Sequence, residues 1–354
     1  MSDPTIYQLE KPWSNNENNI WIASTISLYR NLDNFLFPSK LDKAKKNQII
    51  QLIKQELFKL KILNEPTLCK ADELSLREKE YLVEHYLSTQ SYQHSQGGEG
   101  FIVDATGNFL ATLNIGNHLQ LELIDCQGQL ERGWNHLVQI ETKLGKALNY
   151  AFNSRFGFLT SDPQHSGTGF ILSAYLQPTA LIHTNRFNQM LLKHSKEGIV
   201  VMGLQGTPGD YIGDVMAIRN QYTLGLTEEN IVSTVRLFIT KMLVEEQAVR
   251  TELKNSPDPD VMDLVSRAYA LLTHSYQLDE IEALNAISLL KMGVDIGWVQ
   301  GISVRELNHL FFACRRSHLL SHIQGEVGHE EINHKRSEYI HKVIKAAHLI
   351  ENFD

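Results

Sequence analysis

The sequence predicts an α+β protein. An antiparallel sheet with helices occupies the middle of the chain, a small helical region precedes it, and an all-helical part follows it. Three observations predict this. Between Glu99 and Ile124, short runs are joined by the tight turns Ala105-Thr106-Gly107 and Ile115-Gly116, the pattern of an antiparallel meander. From Gly157 to Phe170 the chain reads GFLTSDPQHSGTGF, a loop punctuated by Pro163, Gly167 and Gly169 and followed by the β-rich run Phe170 to Leu176. Beyond Asn255-Ser256-Pro257-Asp258-Pro259, every apolar pattern has the 3.6-residue period of a helix.

Taken in order, Asn19 to Asn31 alternates. Ile20, Ile22, Ile26 and Leu28 point one way and Trp21, Ala23, Thr25, Ser27 and Tyr29 the other, which reads as a strand with one apolar face. Leu41 to Leu63 carries Ile49, Ile50, Ile53, Leu57 and Leu60 at helical spacing, and Asp72 to Leu87 reads as a second helix. The meander strands are Glu99 to Val103, Asn108 to Asn114 and His118 to Ile124. In the third, Leu119, Leu121 and Leu123 face the core while His118, Gln120 and Glu122 face the other side. A helix is expected over Arg132 to Ala151, and another over Pro178 to His194. Gly198 to Met202 and Asp214 to Ile218 read as strands on either side of a Gly-rich loop, Gln205 to Gly213. Thr227, with Glu228 and Glu229 in the first turn, starts a helix that runs to about Leu253. Four more helices follow, over Val261 to Tyr276, Asp279 to Met292, Ser303 to Cys314 and Glu330 to Glu351.

At 354 residues the chain is too long for one compact core. The expected division is 1–95 (N-terminal strand and small helical region), 96–254 (the α/β part) and 260–354 (a helical domain expected to fold on its own and to carry self-association). A net charge of -8 excludes a general nucleic-acid binder. No apolar run is long enough to span a membrane, and Met1 to Asn19 lacks the pattern of a secretory signal. Cys69, Cys126 and Cys314 are widely spaced with no CxxC pair, which points to a reducing, cytoplasmic location and to neither disulfide nor zinc site. His318 and His322 stand four apart, but no Glu lies between them as in a zinc-protease motif, so no metal is expected.

The loop GFLTSDPQHSGTGF resembles the signature of the ATP:guanido phosphotransferases (the phosphagen kinases), and Asn220-Gln221-Tyr222-Thr223-Leu224-Gly225 resembles a second block of that family. The order and spacing of blocks are most similar to the bacterial protein-arginine kinases, the McsB branch, over nearly the whole chain. The resemblance implies a phosphagen-kinase-like (glutamine-synthetase-like) sheet, with 96–254 as the catalytic domain and 260–354 as a dimerisation and partner domain. It also implies, as partners, a Clp unfoldase and a zinc-binding activator protein in protein quality control, with a homodimer as the assembly.

Phosphoryl transfer to a guanidinium needs a cage of cationic donors for the triphosphate and a carboxylate to orient the guanidinium and take its proton. By resemblance, the ATP positions run through Ala23, Ser24, Thr25, Ile26 and Ser27 in the first strand, then His85 and Gln120. They continue through Ile171, Leu172, Ser173, Ala174 and Tyr175 after the signature loop, and through Met202, Gly203, Leu204, Gln205, Gly206 and Thr207 in the later strand and its loop. The family's cage arginines fall on Thr25, Ser27, Gln120, Ile171 and Met202. The family hairpin Asn-Glu-Glu-Asp-His is Asn114-Ile115-Gly116-Asn117-His118 here, so Ile115 and Gly116 stand where the glutamates would. Thr207 stands where a loop carboxylate would, and Asp162 where a reactive cysteine would.

An arginine replaced by Ile or Met loses a planar five-donor cation. Each charge-assisted contact contributes about 1.5–3 kcal/mol, so the set would cost many orders of magnitude in nucleotide affinity. What persists shapes backbone: Pro38, Gly157, Pro163, Gly167, Gly169 and Gly225, with Thr160, Ser161, Asn220, Gln221 and Thr223 able to satisfy loop amides and carbonyls. The leading expectation is therefore a degenerate, pseudokinase-like protein that binds no cofactor tightly and acts through interactions. A different expectation is a working protein-arginine kinase using ATP and magnesium, with Asp210 as substitute base and Arg155 or Arg219 supplying charge. A third is a phosphoarginine-binding module. The family motif Arg-Asp-x-x-Arg-Ala falls on Ile332-Asn333-His334-Lys335-Arg336-Ser337, so Lys335 and Arg336 are its remnant.

Overall fold

The computed structural model describes residues 5–194, 198–323 and 327–350. Its strands are β1 (Trp21–Arg30), β2 (Thr67–Lys70), β3 (Gly100–Val103), β4 (Phe109–Leu113), β5 (Leu119–Asp125), a small hairpin of β6 (Phe152–Asn153) and β7 (Gly157–Phe158), then β8 (Phe170–Leu176), β9 (Ile199–Gly203), β10 (Met216–Asn220), β11 (Val299–Gln300) and β12 (His348–Leu349). Eight of them form one sheet in the order β2-β3-β4-β5-β1-β8-β10-β9. The chain divides into two compact units. The first comprises Met1–Pro12, Ser24–Ser173 and Arg219–Val235; the second comprises Trp13–Ala23, Ala174–Ile218 and Arg236–Asp354.

In the first unit the expected meander is present. β3 pairs antiparallel with β4, β4 with β5, and β5 with β1, with Ser27 opposite Glu122 and Tyr29 opposite Gln120. The alternation placed Thr25, Ser27, Gln120 and Glu122 on a polar face, but that face is covered too, and all four are buried. β2, which pairs with β3, has no alternation by which the sequence would announce it: its Thr-Leu-Cys stretch is uniformly half-buried. Helix α1 (Lys43–Lys59) is capped by Asp42 and buries Ile49, Ile50, Ile53 and Leu57 of the expected stripe; it ends before the expected Leu63, with Leu60 half-buried at its C-cap. Helix α2 (Leu76–His85) starts on a reciprocal Ser75–Glu78 capping box. Helix α3 (Leu130–Gly145) starts and stops earlier than its apolar pattern suggests. It lies close on the sheet at Gly133, where a Cβ would come within 2.8 Å of the Ile26 side chain.

The second unit is mainly helical. The helix expected over Pro178 to His194 is two: α4 (Thr179–His183) and α5 (Phe187–His194), separated where Asn185 takes a positive φ of 59°. Helix α6 (Glu228–Asn255) enters this unit from Arg236 onward. Next come α7 (Pro259–His274), α8 (Glu280–Ile296), α9 (Val304–Ala313), α10 (Arg316–Ser321) and α11 (Ile332–Val343). Asp258 caps α7 and Pro259 takes its first turn, so the residues that stop one helix start the next. The last helix is shorter than expected. It ends at Val343, and His348–Leu349 instead pairs with Val299–Gln300; Glu351 lies outside the described residues. No described helix is long and apolar enough to cross a membrane.

A buried ionic network holds this unit together. Glu246 on α6 accepts from the Ala180 and Leu181 amides at 2.9 Å each, so it caps the short helix α4. Its neighbour Arg250 donates to Glu246 at 2.7 Å, to Asp295 at 3.0 Å and to the Gln177 carbonyl at 3.3 Å. Removing one member leaves the rest charged and buried, so Glu246→Ala is expected to destabilise the protein by about 3–5 kcal/mol. Urea unfolding checks this, and a loss below about 1 kcal/mol would mean the network carries little.

Candidate functional site

The loop between β7 and β8 is held from three sides within the first unit. From β1, Arg30 donates through Nη1 to the Thr168 carbonyl at 2.9 Å and through Nε to Glu141 of α3 at 2.7 Å; its guanidinium lies 3.6 Å from the Phe158 ring centre. From the residues after β10, Thr223 Oγ1 donates to the Ser166 carbonyl at 2.6 Å, and its own carbonyl accepts from the Thr168 amide at 3.0 Å. Asn220 bridges the start of β8, accepting from the Leu172 amide at 2.7 Å and donating to the Phe170 carbonyl at 3.0 Å. The backbones meet so closely that a Cβ on Gly167 would sit 2.4 Å from the Thr223 carbonyl oxygen, and one on Gly169 2.7 Å from that of Tyr29. The two sequence blocks Gly157–Phe170 and Asn220–Gly225 are therefore one structure.

The hairpin at residues 114–118 docks onto this loop. Asn31 donates to Asn117 Oδ1 at 2.7 Å and to the Leu159 carbonyl at 3.0 Å, and Ser161 donates to Asn117 Oδ1 at 2.8 Å and to the Gly116 carbonyl at 2.6 Å. His118 accepts the Leu32 amide at Nδ1 (3.0 Å), so Nε2 carries the proton and donates to the Leu36 carbonyl at 2.9 Å. Burial lowers its pKa, which keeps the ring neutral. Gly116 has φ 75° and nothing within 4 Å of where a Cβ would be, so the hairpin tip is open and left-handed.

Beside the hairpin, β1 and β5 bring three polar side chains together. Glu122 Oε2 accepts from Ser27 Oγ at 3.0 Å and from Gln120 Nε2 at 2.9 Å. Its other oxygen, Oε1, is buried with no hydrogen-bond partner among the described residues. Burial pushes the carboxyl up to about 7, against the two hydrogen bonds and the nearby Arg219 charge, which pull it down. Tyr29 stacks on His165 of the loop at 5.1 Å, and Arg219 Nη2 lies 3.4 Å from His165 Nε2.

Two family models match this chain. The ATP:guanido phosphotransferase C-terminal catalytic domain matches residues 48–249, and the protein-arginine kinase McsB C-terminal domain matches residues 258–352. The chain is similar to the protein-arginine kinase of Chlamydia pneumoniae, 32% identical over 93% of this chain and 92% of that one. It is also similar to the protein-arginine kinase of Halothermothrix orenii, 31% identical over 92% and 93%. The chain belongs to the ATP:guanido phosphotransferase family. The fold agrees. The substrate-free duplicated taurocyamine kinase of Schistosoma mansoni superposes with a TM-score of 0.58 at 22% identity over 75% of this chain, which spans only 40% of that duplicated protein. Lombricine kinase superposes with 0.54 at 18% identity over 70% and 71%.

Of the positions that the resemblance assigns to ATP, the structure joins Ser27 and Gln120 through Glu122, a residue that the sequence placed on the outward face and did not single out. Thr25 and Ile171 are buried in β1 and β8. His85 is wholly buried, with Nε2 at 2.9 Å from the Gly107 carbonyl oxygen. Asp162 is exposed and caps a short turn, accepting from the Gln164 amide at 3.0 Å. Met202 is half-buried on β9 of the second unit. There the loop after it closes on itself: the Gly203 amide donates to the Thr207 carbonyl at 2.8 Å, and Thr207 and Asp210 are exposed.

Lys335 and Arg336 do not act together. Lys335 pairs with Glu338 at 2.9 Å on the surface. Arg336 is buried, donating to the Cys314 and Leu278 carbonyls at 2.8 Å each and to Asn333 at 2.7 Å. His318 packs against Trp13, and among the described residues no group of three or more potential ligands is placed to hold a metal ion.

A buried acid whose pKa is raised stabilises the fold most when protonated. The Glu122 contribution is fully present below its ordinary 4.5 and is lost as the pH rises through about 7. Glu122→Gln is expected to remove this dependence, so the variant gains on the wild type by about 3 kcal/mol between acid and pH 8. Denaturant unfolding across pH reads the difference, and parallel curves for the two proteins would refute the assignment.

Proposed function

We propose that this member of the family is a pseudokinase: it keeps the scaffold of a protein-arginine kinase and acts through protein interactions rather than phosphoryl transfer. The observation that carries the reading is the carboxyl of Glu122, hydrogen-bonded to Ser27 and Gln120, two of the five residues that by resemblance stand at cage-arginine positions. A triphosphate needs converging cations there, and this donor set does not fit one. The hairpin tip offers Ile115 and Gly116 in place of carboxylates, so nothing there takes a guanidinium proton. By family relationship the setting is cytoplasmic protein quality control, the partners are a Clp unfoldase and a zinc-binding activator, and the assembly is a homodimer. Arg336 spends its donors on the Cys314 and Leu278 carbonyls and on Asn333, with the Glu280 carboxylate 3.5 Å from Nη2, which argues against the phosphoarginine-binding alternative.

Thermal unfolding at pH 8 tests the reading. Millimolar Mg-ATP is expected to leave the melting temperature unchanged, and a magnesium-dependent rise of several degrees would overturn it. Gly116→Glu alone, for which the hairpin tip has space, is expected to produce no phosphoarginine, because the electrostatic stabilisation of the transferred group is still missing. Phosphoarginine made by the wild type and abolished by Asp210→Asn would instead establish a working kinase with a relocated base.

A further inference from the structure

Residues 5–11 lie along helix α2 within the first unit, and their placement is fixed. The short turn Thr5–Gln8 buries Ile6, Leu9 follows it into the core, and Tyr7 meets the Tyr81 ring edge to face at 5.1 Å. The Glu10 amide donates to the Ala105 carbonyl at 3.0 Å, and a Cβ on Gly107 would come within 2.3 Å of the Glu10 carbonyl oxygen. This docking sets Lys11 on Tyr81: Nζ donates to the phenol oxygen and lies 4.9 Å from the ring centre. Lys11 is half-buried. Tyr81 is wholly buried, which raises its pKa and keeps the phenol neutral. The other titratable and charged groups here are Tyr7, also raised by burial, the Arg77 guanidinium 5.5 Å from the Tyr7 ring centre, and Glu84, whose charge acts on Tyr81. Among the described residues no carboxylate pairs with Lys11, and burial lowers its pKa to about 8.

We propose that Lys11 is a modification site, at which the amine takes an acyl group from an activated acyl carbonyl, an acyl phosphate or a thioester, ahead of the exposed lysines. An ammonium needs water or an anion around it. Here part of its water is replaced by aromatic rings and a neutral phenol, so the charged form loses more than the free amine does. The Tyr81 ring face offsets part of that loss. Lysines desolvated in this way are the nucleophilic ones. The step balances without a further reactant. The free amine attacks the carbonyl and an N–C bond forms. The C–O bond to phosphate, or the C–S bond to the thiol, breaks; the leaving group departs with the bonding pair, and the surplus amine proton passes to water. The product is a neutral amide, which this half-buried place holds at less cost than an ammonium.

Acetyl phosphate and a small acetyl thioester, each at limiting dose on the full chain, are the probes. Mass spectrometry of peptides, after the remaining amines are capped with isotopic acetic anhydride, reads the acetylated fraction at each lysine. At pH 8 Lys11 is expected to react about tenfold faster than the exposed Lys45. Its rate is expected to level off as the pH rises past about 8, while that of Lys45 keeps climbing. Selectivity for Lys11 with both donors supports the proposal, and selectivity with one alone supports it and names the donor. Equal rates at Lys11 and Lys45 with both donors overturn it, and so does a Lys11 rate that climbs in parallel with that of Lys45. Gly107→Ala, whose methyl would displace Glu10, is expected to bring Lys11 down to the Lys45 rate. A Lys11 that stays fast in that variant overturns the proposal, because the docked segment would then not be the source of the reactivity.

Discussion

A buried guanidinium holds the first unit together. Arg30 is almost fully enclosed, so its charge has to be met by structure: a carboxylate from α3, the Tyr29 and Thr168 carbonyls, and the face of Phe158. Each partner belongs to a different part of the unit, so meeting one charge fixes strand, helix and loop together. A lysine cannot reproduce this, since one ammonium lacks the planar fork that reaches a carboxylate and a carbonyl at once. Gly167 and Gly169 then allow the backbones to meet, and Asn220 and Thr223 complete the polar contacts of the loop.

This division of labour would let the fold persist under the loss of the ionic site that we propose. The residues that shape the loop make their bonds to backbone and do not depend on a ligand. Ser27 and Gln120, which by resemblance stand at phosphate positions, lie by contrast on the paired strands β1 and β5, where a cluster of cations would need a bound anion to be tolerable. Here Ser27 and Gln120 surround a single carboxyl and bond to it directly. A buried acid with a raised pKa is itself a cost, but it is a local one, and the sheet around it is unbroken.

Much of the fold is legible in the sequence because it is local. The Ile49–Leu57 stripe, the Ser75–Glu78 capping box and the meander turns each announce an element through spacing and caps. The errors sit where a tertiary or single-residue effect decides. Asn185 in a left-handed conformation splits one apolar stripe into two helices, and the Val299–Gln300 pairing claims residues that periodicity assigns to the last helix. Alternation says which face Glu122 is on but not that the face is covered, and Arg30 looks like the polar end of a strand. Nor does any local pattern say that Trp13–Ala23 folds with the C-terminal helices, where Asn308 donates to the Asn16 and Asn18 carbonyls at 3.0 Å each. The two signature blocks were visible as motifs; that they bond to each other emerges only from the structure.

The central claim is that the scaffold survives while phosphoryl transfer to arginine does not. Phosphorus NMR of the purified protein, incubated with Mg-ATP and an arginine-containing protein substrate, tests it most directly. The account predicts ATP resonances unchanged over hours and no phosphoarginine signal. A growing phosphoarginine resonance with matching loss of the ATP γ-phosphate would contradict it.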